Sequence, residues 1–236
     1  MKVDTNITNN NFCSLLKNSE LPVLLDANFL ISPDRTNLST KFKPVSYSEY
    51  LANWIEPLTQ RFSNLCVHEA VRDEICMKAE KEALETLIHK GFIKLVVDSS
   101  LSKSQRIMRN TVEKKIIHTG LFEYIPGFHS SKDKGEVKTL SYAAAKGIPL
   151  FSSKDQMALQ VVLQAEKLHS GLDSIGMIYF YEFIYALHKG TGSNKDFLRK
   201  IYKDVYFFTK NEKIHNPEWG SFVPSMDLLY SDLNLS

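Results

Sequence analysis

Four acidic residues in this sequence are placed where they could do chemistry. Asp26 directly follows the apolar run Val23–Leu24–Leu25, and Glu74 lies in the early turns of a helix after Leu65–Cys66–Val67. Glu136 sits at the start of a helix opened by Gly135, and Asp155 follows Leu150–Phe151 after Ser152–Ser153–Lys154. Taken singly, each has a plainer role, because an acid near a helix start complements the dipole and caps free N–H groups. That plainer role is the stronger reading for Glu74 or Glu136 alone. Asp26 resists it. In Leu25–Asp26–Ala27–Asn28–Phe29–Leu30–Ile31 the carboxylate has apolar neighbours on both sides, and burying such a charge is costly unless it is paired or bound to a metal. Several carboxylates on one sheet edge would repel each other and raise their own pKa values. A hard divalent cation, Mg²⁺ or Mn²⁺, removes the conflict. It would also polarise a phosphodiester and acidify a bound water, which points to metal-dependent phosphate chemistry.

The elements that must position these acids are read from periodicity. After a polar, Asn-rich segment over residues 1–20, the chain alternates short apolar runs with helical patterns. Leu21–Asp26 and Leu65–Val67 read as strands, as do Phe92–Val97, Ile148–Phe151 and Ser174–Ile178. Helices are expected over Ser46–Phe62, Glu69–Lys90 and Ser104–His118, then over Gly135–Lys146 and Gln156–His169, and finally over Tyr179–Lys189 and Asn194–Phe208. Ser46 with Glu49 suggests a capping box, Pro57 predicts a kink, and Gly147 marks a helix end. Ser193, with Asp196 three residues on, is the expected start of the last helix. Leu121–Lys134 reads as a loop, and the tail 211–236 as irregular chain on the surface of a domain spanning 21–210. Alternating strands and helices predict an α/β domain with a parallel sheet covered on both faces. In such sheets ligands bind beyond the carboxyl ends of the strands, where the four acids fall.

Composition narrows the classes. The 236 residues carry 29 Lys plus Arg against 27 Asp plus Glu, a net charge of +2, and 43% are hydrophobic. That excludes global disorder and histone-like coating of nucleic acid, but leaves room for a local basic face. Three cysteines without a C-x-x-C spacing exclude a zinc ribbon and suit a reducing, cytoplasmic setting. The greasiest window, Gly176–Leu187, is too short to span a bilayer and contains Glu182, so no membrane association is expected. No phosphate-loop or dinucleotide-binding glycine pattern is present.

Leu24–Leu25–Asp26–Ala27–Asn28–Phe29–Leu30, Val71–Arg72–Asp73–Glu74–Ile75, Asp133–Lys134–Gly135–Glu136 with Ala143–Ala144–Ala145 behind it, and Ser152–Ser153–Lys154–Asp155 together resemble the ordered motifs of PIN-domain nucleases. The resemblance runs from Leu21 to Lys189. It implies a Rossmann-like three-layer fold with helical insertions and C-terminal helices, one or two Mg²⁺ or Mn²⁺ ions, and hydrolysis of RNA. Carried over by position, Asp26, Glu74, Glu136 and Asp155 are the metal-binding and catalytic acids, with Asn28 and Ser153 as supporting hydrogen-bonders. Many relatives carry a paired acid or amide in the last motif where this chain has Lys154, so Asp133 is the candidate for the missing carboxylate. Lys132, Lys134 and Lys154 adjoin the acids and are candidate phosphate contacts. Arg106 and Arg109, on a basic stripe with Lys103, Lys114 and Lys115, are further candidates, although a solvated helix face explains the stripe more simply.

Two other functions stay open at the level of sequence. In an aspartyl phosphatase Asp26 would be the covalent nucleophile, although the second Asp such enzymes need two residues on is here Asn28. A PIN-like scaffold with a degraded site would act as an RNA-binding or protein-interaction module, and Lys154 favours it. An RNA partner is expected, and a homodimer or an inhibitory protein partner would be compatible. The aromatic group Tyr179, Phe180, Tyr181, Phe183 and Tyr185 suits core packing or a dimer face better than base stacking.

Overall fold

The fold is described from a computed structural model, over residues 2–40, 42–128 and 132–233. Its sheet consists of β1 (Val23–Leu25), β2 (Leu65–His68), β3 (Lys94–Val96), β4 (Leu150–Ser152) and β5 (Gly176–Met177). All pairings are parallel, in the order β3-β2-β1-β4-β5. The first half of the chain carries helices α1 (Asn10–Lys17), α2 (Ala27–Leu30), α3 (Tyr47–Tyr50), α4 (Glu56–Arg61), α5 (Glu69–Glu74), α6 (Lys78–His89) and α7 (Lys103–His118). The second half carries α8 (Lys134–Lys146), α9 (Gln156–Leu163), α10 (Ala165–Leu168), α11 (Phe180–Lys189), α12 (Lys195–Tyr206), α13 (Lys210–His215) and α14 (Trp219–Leu229). The chain is thus α/β with an all-parallel sheet flanked by helices, an arrangement compatible with a Rossmann-like three-layer fold.

The inner strands β1, β2 and β4 are short and buried throughout. Successive side chains of a strand face opposite sides, and both sides of β1 are buried. Val23 and Leu25 pack into one core with Phe29, Trp54, Phe183 and Ile201. Leu24 packs into the other with Cys66, Leu140, Phe151 and Val161. The chain moves outward from β1 to β2 and β3, then crosses back to add β4 and β5 on the opposite side. The order therefore reverses between β1 and β4, which opens a crevice at their carboxyl ends.

Several elements differ from the sequence expectation. The helix expected over Glu69–Lys90 is broken after Glu74, where Ile75 is extended and buries its side chain in the core. That expected over Gln156–His169 breaks at Gln164, the C-cap of α9. The cap of α12 is Asn194 and not Ser193, since the Asn194 side chain accepts the N–H of Phe197 at 3.1 Å. Pro57 does not end its helix, because a π-helical stretch over Leu51–Ile55 precedes it and Pro57 falls in the first turn of α4. There its missing N–H costs little. Ser46 caps α3 through the Glu49 N–H, as expected, and α8 ends on Gly147 with φ +73°. The tail is not irregular: α14 buries Phe222 and Met226 completely. The polar first segment is likewise anchored, with Phe12 and Leu15 of α1 fully buried. Positions 129–131 of the expected Leu121–Lys134 loop lie outside the described residues.

Glu182 ties these outer pieces together. Its carboxylate is buried and accepts from Asn9 Nδ2 at 2.9 Å, from Tyr179 N at 2.8 Å and from Tyr230 Oη at 3.1 Å. Asn9 Nδ2 also donates to Met177 O of β5 at 2.9 Å, and Asn9 N donates to Tyr230 Oη at 3.2 Å. Burial pushes the Glu182 carboxyl up to about 8, against the opposing pull of these donors.

Candidate active site

Asp26 caps α2 at the end of β1, in the crevice where the strand order reverses. It is 1% exposed. Its Oδ1 accepts the Ala27 N–H at 2.7 Å, and its Oδ2 accepts Ser153 Oγ–H at 2.6 Å together with an amide hydrogen of Asn28. Its own N–H donates to Ser152 O on β4 at 3.1 Å, which fixes the carboxylate against the neighbouring strand end. Behind it, Tyr50 Oη and Trp54 Nε1 both donate to Phe29 O, at 3.0 and 3.1 Å. These bonds hold the turn that carries Asp26 and Asn28.

The last motif is stitched to the first. Asn28 Nδ2 donates to Ser153 Oγ at 3.0 Å, and Asn28 Oδ1 accepts the Lys154 N–H at 3.0 Å. Ser153 Oγ also accepts the Asp155 N–H at 2.8 Å. Asp155 caps α9 through Oδ1, which accepts from Met157 N at 2.7 Å and Ala158 N at 3.2 Å. Glu74 reaches the site from the end of α5, where its Oε1 accepts the Gly135 N–H at 2.6 Å. Glu136 projects from the first turn of α8 into a cavity of about 310 Å³ that Asp26 and Lys154 also line.

Charge–charge repulsion couples the acids in pairs. Burial pushes Asp26 up to about 6, with Asp155 adding to the rise and Ser153 opposing it. Burial raises Glu74 to about 7, with Asp26 adding to it. Burial raises Glu136 to about 8, with contributions from Asp26, Glu74 and Asp155. Lys154 is pushed down to about 7 by burial, against the attraction of Asp26. Its ammonium lies 4.7 Å from the centre of the Phe180 ring, a cation–π contact that partly replaces lost water.

Carboxylate oxygens are the ligand type of a hard cation, but no three of these acids bring ligand atoms within 4.8 Å of one another among the described residues. Gly135 has the space that Glu74 requires: a Cβ there would sit 2.3 Å from Glu74 Oε2.

The other candidates separate clearly. Asp133 is near enough to raise Glu74, but its Oδ2 already accepts the Glu123 N–H at 2.8 Å. Lys134 is half-buried and draws on Glu74, whereas Lys132 pairs with Glu123 at 2.8 Å. Arg106 is exposed on α7. Arg109 is not free to hold phosphate. Its guanidinium binds the carboxylates of Asp98 and Glu113, and Glu113 is further held by Lys138 at 2.8 Å and Tyr124 Oη at 2.9 Å. This network was missed at the level of sequence, although the four-residue spacing of Arg109 and Glu113 signals an ion pair on one helix face.

Beside that network, His68, Glu69 and Asp98 are the one group among the described residues whose ligand atoms lie within 4.8 Å of one another. His68 Nδ1 accepts the Ala70 N–H at 3.2 Å, and its buried Nε2 lies 3.4 Å from Asp98 Oδ1 with no hydrogen-bond partner among the described residues. Glu69 Oε1 accepts the Asp98 N–H at 2.7 Å. Burial alone would raise the Asp98 carboxyl, but His68 and Arg109 hold it well below the usual range.

No family model and no solved structure matches the chain. Over 128 residues it is 24% identical to an RNA replication protein of Indian citrus ringspot virus, an alignment covering 54% of this chain and 7% of that protein. No helix among the described residues is long and apolar enough to cross a membrane.

Proposed function

We propose that the chain is a PIN-like, metal-dependent endoribonuclease, whose site is the carboxylate group at the carboxyl edge of β1 and β4. The observation that carries this reading is the convergence of Asp26, Glu74, Glu136 and Asp155, each from a different element, with three of them raised by burial and by one another. Carboxylates so crowded are an unfavourable arrangement without a cation and a favourable one with it. Held by these four acids, one or two Mg²⁺ or Mn²⁺ ions would supply Lewis-acid polarisation of a phosphodiester and acidification of water. Asn28 and Ser153 orient Asp26, and the Gly135 N–H orients Glu74. Lys154 lines the cavity beside Asp26 and Glu136, where its charge favours a phosphate oxygen. The likeness to a protein named for RNA replication is consistent with an RNA substrate.

A second reading, an RNA-binding or protein-interaction scaffold without cleavage, draws on Lys154. While Lys154 holds its proton, its attraction to Asp26 offsets part of the charge that a metal would balance. One experiment separates the two. Single-stranded RNA is incubated with Mn²⁺, with EDTA, and with the Asp26→Asn variant. The nuclease reading expects cleavage only for the unsubstituted chain with Mn²⁺, and a normal melting curve for the variant. Cleavage that survives exhaustive chelation, or full activity of Asp26→Asn, overturns it. Binding without cleavage under every condition favours the scaffold.

A further inference from the structure

Directly beyond Asp155, α9 forms one wall of a second cavity, of about 520 Å³, larger than the one at the acids. Gln156, Gln160 and Gln164 line that wall. They are spaced four residues apart along α9 to its cap, so they share one side of it. Their side-chain amides hold no hydrogen bond among the described residues. Tyr179 and Tyr181 supply the cavity's aromatic lining. They stack with their rings 9° from parallel and their centroids 5.3 Å apart. Tyr181 is buried and its Oη donates to Asp4 O at 3.3 Å, which fixes the inner ring, while Tyr179 is only half-buried. Lys2 and Asp4 line the cavity as well.

We propose that this cavity is a nucleobase subsite, which seats one base of the RNA strand whose backbone passes the acids. The inference rests on the ribonuclease reading for its choice of polymer, and on the cavity itself for the chemistry. A flat tyrosine platform stacks on any base, because every base presents a π face. Each glutamine amide offers both donors and an acceptor, so the glutamine wall can satisfy the polar edge of a purine or a pyrimidine. Lys2 and Asp4 bring one charge of each sign to the lining, so the cavity selects for the base and not for a phosphate. The position fits a strand that reaches both places, since Gln156 is the residue after Asp155. Among the aromatic residues of the Tyr179–Tyr185 group, Phe180, Tyr181, Phe183 and Tyr185 belong to the core, where Tyr181 backs the half-buried Tyr179 that faces the cavity with it.

The test follows the glutamine side-chain amides by NMR while the protein, kept in EDTA, is titrated with UMP, AMP or ribose 5-phosphate. The expected result is saturable shifts at Gln156, Gln160 and Gln164 with both nucleotides and none with the sugar phosphate. Tyr179→Leu should weaken the nucleotide affinity about tenfold. Gln160→Ala should also weaken it while melting normally, which guards against a Tyr179 variant that merely unfolds. No shift with either nucleotide, or equal shifts with ribose 5-phosphate, overturns the subsite. Asp26→Asn should bind nucleotides as the unsubstituted chain does. If that variant cleaves RNA normally, the acidic site loses its role, while the amide shifts still decide the cavity.

Discussion

The carboxylate of Glu74 occupies the volume that a side chain on residue 135 would fill. Gly135 donates its N–H to Glu74 Oε1 at 2.6 Å, and a Cβ on Gly135 would lie 2.3 Å from Oε2. The backbone there is an ordinary helical turn, so the glycine serves the neighbour and not the conformation. Gly135→Ala should therefore push Glu74 out of position. The expected result is a roughly 10- to 100-fold loss of Mn²⁺ affinity in calorimetric titration, the scale seen when a group that orients a ligand is lost. Affinity unchanged by the substitution would mean that Glu74 does not contribute to binding.

Stability should depend on pH in a direction set by the raised carboxyls. Asp26, Glu74, Glu136 and Glu182 hold protons in the folded state at pH values where the unfolded chain has released them. Their contribution is fully present below about pH 4 and is lost as pH rises through about 6 to 8. Without metal, the melting temperature should thus fall between pH 5 and pH 7. Above pH 7 the depressed Lys154 acts in the opposite sense, because the unfolded chain then binds more protons there. Saturating Mn²⁺ should flatten the decline, since the ion takes the place of those protons. A metal-free melting temperature that rises across this interval would contradict the carboxyl assignment.

Arg109 should matter to folding before it matters to RNA. Arg109→Ala leaves Asp98 and Glu113 with a lost partner in a largely enclosed network. A cost of roughly 2–4 kcal/mol is expected in denaturant melts, at or below the range for a broken buried pair because Asp98 is a quarter exposed. The salt dependence of RNA binding should be unaltered, whereas a phosphate contact would reduce it.

The C-terminal helix can be tested as part of the core. Phe222 is fully buried and stacks on Tyr202 at 4.4 Å, while Leu228 on the same helix is 80% exposed. Phe222→Ala should cost about 3–5 kcal/mol and Leu228→Ala within about 0.5 kcal/mol. Equal small effects would mean that α14 is not packed as described.

What could be read in the sequence was local. Val23–Leu24–Leu25 and Leu150–Phe151 are wholly apolar and short, which is what a parallel strand buried on both faces must be. The acids behind them could be placed because a strand end is a fixed point in such a sheet. The break at Ile75 was hidden, since helical periodicity continues through it from Val71 to Leu84. The break is a tertiary effect: extended backbone lets Ile75 enter the core while Glu74 points to Gly135, sixty-one residues later. The tail escaped for a similar reason. Trp219, Phe222 and Met226 show helical spacing only once the partners from α11 and α12 are known. Arg109 looked like one of a stripe of solvated cations, and its partner Asp98 lies eleven residues earlier, beyond the reach of any helical pattern.

The fastening at Glu182 has a consequence for how the chain comes to be folded. Asn9 and Tyr230 stand 221 positions apart, and each completes the hydrogen bonding of the other and of Glu182. Phe12 also meets the Tyr230 ring edge-on at 5.1 Å. As the polypeptide emerges during synthesis, β5 and α11 appear well before the residue that satisfies the carboxylate between them and α1. Contacts of such long sequence separation are slow to form, because the closure entropy comes before the reward. Until Tyr230 arrives, the nascent chain carries an incompletely bonded buried acid and an open aromatic seam, and this half of the molecule becomes native only once that residue has left the ribosome.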